Sequence, residues 1–244
     1  MNTEILKQPL GFIRVVEFPL TILAFATACG YSVSLTVTPD LCKEKTSSFE
    51  FGYPFGELTE IQMPKDSCNA TAGQYQLFEE NHGGAAKFFV FIGVVAMLFV
   101  LLMLAIYLFV WDHYENENRL PIGDLIGTAV LAVFWFIASC AWASSLGSIK
   151  SETDAKVVLQ RLNKMDVGCN VDKCTLSPSG YGYGGLTISV VLGFACFFLF
   201  ASNLWFVYKE TAWFRNRQSP PIGGVPGAQG PYDPRPQPSG GSYA

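Results

Sequence analysis

The sequence predicts an all-α membrane protein: a bundle of four transmembrane helices carrying a small disulfide-linked lumenal β-hairpin and a disordered C-terminal tail. Three observations predict it. Half of the 244 residues are apolar and only 15% are charged. Mean hydropathy is positive, at +0.29. The apolar residues are gathered into four long blocks rather than spread as amphipathic stripes, which suits lipid better than a water-facing fold.

A helix rising about 1.5 Å per residue needs about 20 apolar residues to cross a hydrocarbon core roughly 30 Å thick. Behind a cytosolic N-terminus (1–17), the first such block is 18–37, with no ionisable residue between Glu17 and Asp40. The second, 88–110, lies between Lys87 and Asp112; the third, 125–148, between Asp124 and Lys150; the fourth, 186–208, ends against Lys209. Within hydrocarbon each backbone N–H and C=O must be bonded inside its own segment, so the blocks are read as helices. Met1 to Gly11 has no signal-peptide pattern, so the first span is expected to stay in the mature chain. The connections are then a first long loop (38–87), a short cytosolic loop (111–124), a second long loop (149–185) and a cytosolic tail (209–244).

Charge orients the chain only modestly, through Arg14, Lys209, Arg215 and Arg217 beside the spans. Cysteine placement is more decisive. Cys29, Cys140 and Cys196 fall within spans, whereas Cys42 and Cys68 share the first long loop and Cys169 and Cys174 the second. Disulfides persist in an oxidising compartment, so both long loops are placed in the lumen and both termini in the cytosol. The glycosylation sequon at Asn69 lies in the first of these loops. Phe49, Phe51, Tyr53 and Phe55 alternate there as in a strand with one buried face, and Pro54 makes it an edge strand. The expectation is a hairpin closed by Cys42 to Cys68. In the chain-entropy model that bridge contributes roughly 3–4 kcal/mol, and the shorter Cys169 to Cys174 bridge about 2 kcal/mol.

Residues 219–244 contain seven prolines and six glycines. Such a segment cannot bury enough surface to offset its ordering entropy, so a disordered, solvated tail is expected. Tyr232 and Tyr243 are candidate modification or docking positions in it. Lys209, Arg215 and Arg217, with Trp213 and Phe214, form an anchoring collar at the cytosolic interface.

The spans as delimited carry no ionisable side chain, which argues against a pump or ion pathway. Their strongest polar groups are Asn203 and the serines Ser139, Ser144 and Ser145. Small residues four apart mark three candidate packing faces: Ala24, Ala28 and Ser32; Ser139, Ala143 and Gly147; Gly185, Ser189 and Gly193. Packing within the bundle is their ordinary use, and an oligomer seam the sharper one. Phe88, Phe89, Phe91 and Phe99 of the second span are expected to face lipid.

Enzyme classes find little support. The two histidines, His82 and His113, fall on opposite sides of the membrane, so one chain cannot build a His-based triad or a multi-histidine metal site. No phosphate-binding loop or dinucleotide fingerprint is present, and the glycine-rich run at 180–185 leads into a span. The loop cysteines suit paired bridges better than zinc, and a pI near 5.2 without a basic stripe argues against nucleic acid.

Several stretches resemble the synaptophysin family of four-span vesicle proteins with a MARVEL-type membrane domain. They are Lys7-Gln8-Pro9-Leu10-Gly11-Phe12 leading into Leu23 to Thr27; Phe49-Glu50-Phe51-Gly52-Tyr53-Pro54-Phe55; Thr128 to Ala143; and Asn203 to Thr211. The likeness runs in register over roughly residues 5–214. It implies residence in synaptic or secretory vesicle membranes, disulfides among Cys42, Cys68, Cys169 and Cys174, and a glycan at Asn69. It also implies homo-oligomerisation, cholesterol association rather than a bound cofactor, and a synaptobrevin-type SNARE partner. The tail departs from the family pattern, since only Gly230-Pro231-Tyr232 and Gly240 to Tyr243 are similar to its repeats. The expectation is a non-enzymatic vesicle organiser; the rival is an oligomeric channel lined by Ser139, Ser144 and Asn203, and a junctional MARVEL protein at the cell surface is a third reading.

Overall fold

A computed structural model describes residues 4–39, 46–55, 63–66, 69–73, 81–116, 119–164, 174–179 and 182–211. Cys42, Cys68 and Cys169, the collar residues beyond Thr211 and the whole Pro/Gly-rich tail lie outside these residues.

Four long helices dominate: α1 (Pro9–Cys29), α2 (Gly83–Phe109), α4 (Arg119–Glu152) and α6 (Gly184–Glu210). All four are long and apolar enough to cross a membrane. At about 1.5 Å per residue, the 21 residues of α1 span about 31 Å and the 34 of α4 about 51 Å. Each packs on two neighbours, in the cyclic order α1, α2, α4, α6, so α1 faces α4 across one diagonal and α2 faces α6 across the other. Between the helices lie α3 (Trp111–Asn116) and α5 (Ala155–Lys164).

The first span is displaced from its expected position. α1 starts at Pro9, a favourable first helical residue because its missing N–H has no intrahelical partner there. It stops at Cys29, where the Gly30 N–H closes on the Ala26 carbonyl. Residues expected as the end of that span instead form strand β1 (Ser32–Pro39). In Ser-Val-Ser-Leu-Thr-Val-Thr, apolar and hydroxyl side chains alternate, so Val33, Leu35 and Val37 are buried on one face. Ser32 is therefore on a strand, and Ala24, Ala28 and Ser32 do not share one helix face. The other boundaries move outward except the end of α2, which falls one residue short of 110, and the short loop shrinks because α3 and the first turns of α4 occupy most of 111–124.

β2 (Ser47–Gly52) pairs antiparallel with β1, Val33 opposite Phe51, as the expected edge strand. β5 (Cys174–Ser179), from the second loop, pairs antiparallel with the other side of β1, Leu35 opposite Pro178. The strand expected within the first loop is thus paired with residues expected to end the first span, not in a hairpin confined to that loop, and the resulting three-stranded sheet joins both long loops. β3 (Met63–Asp66) and β4 (Asn69–Gly73) make a separate hairpin whose second strand begins at Asn69. The aromatic alternation outruns β2, which ends at Gly52; Phe55 follows a turn, with φ of 57°, and is buried with its ring 5.6 Å from that of Trp142. Tyr31 donates to the Gly182 carbonyl at 3.0 Å, and burial beside Tyr183 pushes its phenol up to about 12.

The core beneath the sheet is aromatic. Phe89 meets Trp135 edge-on at 5.6 Å and Trp142 at 6.2 Å. Phe89 is wholly buried, against the expectation that it faces lipid, and Phe88 and Phe99 are partly buried, while Phe91 is 60% exposed. Outward faces carry Leu98, Leu102, Val133, Val191 and Phe198, all exposed; in lipid such faces need no cover.

Candidate functional site

Near the end of the bundle where α1 begins and α6 ends, α1 brings Arg14 and Glu17 inward on one face, since residues three apart share a helix side. Arg14 Nη1 donates to Glu17 Oε2 at 2.7 Å. Arg14 Nη2 reaches across the diagonal to α4, donating to Asp124 Oδ1 and Thr128 Oγ1, both at 2.5 Å. Thr128, one turn beyond Asp124, donates to the same Oδ1 at 3.2 Å.

The other carboxylate oxygen collects α2 and α3. Tyr107 donates a short hydrogen bond to Asp124 Oδ2, and Tyr114 donates to it at 3.0 Å. The two phenol rings meet edge-on at 5.2 Å, and Trp111 stacks on Tyr114 at 5.3 Å, folding α3 back against α2. Burial and the neighbouring Asp124 hold the Tyr114 phenol above its ordinary range, so it stays a donor. From α6, the Asn203 amide donates to Glu17 Oε1 at 3.4 Å. Phe99 and Phe200 lie against the guanidinium with ring centroids 5.2 and 5.8 Å from it. Gly127 makes the Phe99 position possible, because a Cβ there would come within 2.6 Å of the ring.

Arg14, Glu17, Thr128 and Asn203 are 0% exposed and Asp124 1%. Removing a charge from water costs several kcal/mol per ion unless partners replace the lost solvation, and here the replacement comes from five helices. The effect is a polar lock that fixes α1 against α4 and α6 at one level. Two groups keep unused capacity: Arg14 Nε and Asn203 Oδ1 have no partner.

This cluster corrects the reading of the spans as free of ionisable groups. Arg14, Glu17 and Asp124 sit just beyond the assigned span limits but inside α1 and α4, buried from every side. A usable signal is present: Pro9 at a helix start places Arg14 and Glu17 one and two turns into the helix. Asn203, singled out for its polarity, does belong to the cluster.

The other residues singled out are divided between interior and exterior. Ala24 and Ala28 are buried on α1. Ser139 is buried against α6, where a Cβ on Gly193 would come within 2.5 Å of its Oγ and 2.6 Å of the Phe89 ring. Ser189, also buried, accepts from Trp142 Nε1 at 2.8 Å. Ala143 and Gly185 are half-buried, while Ser144 and Gly147 are exposed. Ser139, Ser144 and Asn203 therefore do not line one path within a subunit. Cys174 begins β5 and is not among the free cysteines of the described residues, which are Cys29, Cys140 and Cys196.

A second polar group ties the sheet end of the bundle. His82, preceding α2, lies 3.2 Å from Glu152 at the end of α4, and Arg161 of α5 lies 3.7 Å from the same carboxylate. Lys150 donates to Thr187 at 3.0 Å, bridging α4 and α6.

Four apolar helices locked by buried polar groups, with a sheet over one end, define a multi-pass membrane protein. The MARVEL membrane-associating domain matches residues 5–206. The chain belongs to that family, and the matched stretch takes in α1, α2, α4, most of α6 and both loops.

Proposed function

We propose that this chain is a non-enzymatic organiser of synaptic or secretory vesicle membranes, acting in trafficking and exocytosis. It works by self-association and by contact with cholesterol and a synaptobrevin-type SNARE. The supporting observation is the MARVEL match over most of the chain, together with the likeness to synaptophysins in all four helices. The helix arrangement agrees with such a role: the interior is filled by Phe89, Trp135, Trp142 and Phe200, which leaves the outer helix faces to do the binding. In this reading the termini are cytosolic, the sheet is lumenal, Asn69 carries a glycan, and Cys42, Cys68, Cys169 and Cys174 form disulfides within the loops.

Crosslinking and detergent pull-down from vesicle membranes test the role. Recovery of a homo-oligomer and of synaptobrevin is expected, and the absence of both overturns it. A non-reducing peptide map after glycosidase treatment tests the loop chemistry, with free thiols at all four loop cysteines as the contrary result.

The buried charges favour one second reading, an oligomeric channel of the vesicle membrane, because ionisable groups at membrane depth often serve ion pathways. Its pore would have to run between subunits to reach Ser144 and within one to reach Asn203. A reproducible conductance in planar bilayers, altered by Asn203→Leu, would establish it over the organiser.

A further inference from the structure

We infer that the cleft between the end of α1 and the start of the sheet binds a trimethylammonium group, supplied by the head of a choline lipid in the leaflet on that side. This goes beyond the vesicle role and does not depend on it, since it needs only that the four long helices cross a membrane.

The first argument is position. α1, long and apolar enough to span, ends at Cys29, and β1 begins at Ser32. Cys29, Gly30 and Tyr31 therefore lie where hydrocarbon gives way to lipid headgroups. They line a cleft of about 420 Å³, with Ser32, Glu50 and Tyr53 completing its walls beside Gly52. That volume falls within the roughly 300–1,000 Å³ of small-molecule pockets. It is far more than a bare metal ion fills.

The second argument is charge. Among the described residues, Glu50 is the one acidic side chain in the lining, and no Lys, Arg or His joins it. The Ala26 carbonyl takes the Gly30 N–H at 2.9 Å. The carbonyls beyond it, which end α1, have no intrahelical donor and carry the negative end of the helix dipole. In the pairing of β1 with β2, Ser32 stands opposite Gly52 and Ser34 opposite Glu50, so Ser32 and Glu50 share the sheet face turned away from buried Val33 and Phe51. Only glycine fits between them at 52, because a Cβ there would come within 2.6 Å of the Tyr31 carbonyl. The lining is thus rich in acceptors and suits a cation.

The third argument is which cation. The Tyr53 N–H donates to the Tyr31 carbonyl at 3.2 Å, which makes the two tyrosines cross-strand neighbours at the cleft. Tyr31 is held by its hydroxyl on the Gly182 carbonyl and by its ring, 6.1 Å from that of Phe55. Both tyrosines are half-buried. Burial, with Cys29 nearby, holds the Tyr53 phenol above its ordinary range. A trimethylammonium donates no hydrogen bond, and aromatic rings with a diffuse negative charge are what attract it. A calcium ion would ask for six or more oxygen ligands, commonly from several carboxylates, and the lining offers one.

Native mass spectrometry of the full chain released from nanodiscs tests this, with a melting temperature recorded for each variant. From discs holding equal parts phosphatidylcholine, phosphatidylethanolamine and phosphatidylglycerol with identical acyl chains, the wild type should retain phosphatidylcholine over both others. Glu50→Gln and Tyr53→Leu should each lower that retention roughly two- to five-fold. Tyr53→Phe, which keeps the ring, and Ser48→Ala, on the same strand outside the cleft, should bind as the wild type does. If Tyr53→Leu melts early, Glu50→Gln decides, because that side chain is exposed and its exchange leaves the fold intact. Equal retention of the three lipids, or Glu50→Gln retention equal to that of the wild type, overturns the proposal. So does loss of phosphatidylcholine on adding calcium, because the cleft would then be a metal site. A large excess of soluble phosphocholine should leave the lipid in place; displacement would overturn the lipid source and assign the cleft to soluble choline compounds.

Discussion

Asp124 ties four helices together, because its two oxygens take donors from α1, α2 and α3 as well as from Thr128 on α4. Removing one member of a buried ion pair leaves an uncompensated charge, which costs far more than the pair contributes. Asp124→Ala should therefore destabilise the folded chain by about 3–5 kcal/mol, read as a lower melting temperature in detergent. Tyr114→Phe removes one donor and leaves the pair intact, so a loss of about 1–2 kcal/mol is expected. Equal effects of the two substitutions would show that the carboxylate is not the hub. The same logic explains why Arg14 is tolerated away from water: two carboxyls, a threonine and two phenyl faces surround it.

At the scale of elements, Gly193 of α6 is where α4 and α2 press in, with Ser139 and Phe89 against the place a Cβ would take. Gly193→Leu should cost about 1–3 kcal/mol as helices are forced apart, whereas Gly184→Ala, with nothing near its Cβ position, should leave thermal stability unchanged. Loss of stability in both would place the sensitivity in backbone freedom instead of packing. The helices were legible in the sequence because length and apolarity alone distinguish a span. Their ends were not, for a physical reason. Hydropathy averages over a window, so Val33, Leu35 and Val37 lend a strand the apolarity of a helix, and the alternation with Ser and Thr is the signal that separates them. Arg14, Glu17 and Asp124 were hidden by the converse effect, since a charge is taken as the border of a span until the partner that neutralises it is known. Nothing in the local pattern pairs Arg14 with a residue 110 positions away.

For the whole molecule, the division between interior and exterior small residues separates folding from assembly. Gly147 lies exposed on α4 with open space at its Cβ position. Gly147→Trp should leave the melting temperature within experimental error while lowering the yield of crosslinked oligomer, if that face is a seam between copies. An unchanged oligomer yield would assign self-association to another face. The sheet has a further consequence, for biosynthesis. β1 emerges directly after the first helix and finds β2 within a few residues, but its second edge waits for β5, where Ser34 meets Ser179. At synthesis rates of about 5–20 residues per second, that edge stays open for roughly 7–29 s. Throughout that interval the nascent chain displays an unpaired row of N–H and C=O groups. A chain truncated before Cys174 is therefore expected to keep that edge open and to associate through it, read as aggregation that the full chain does not show.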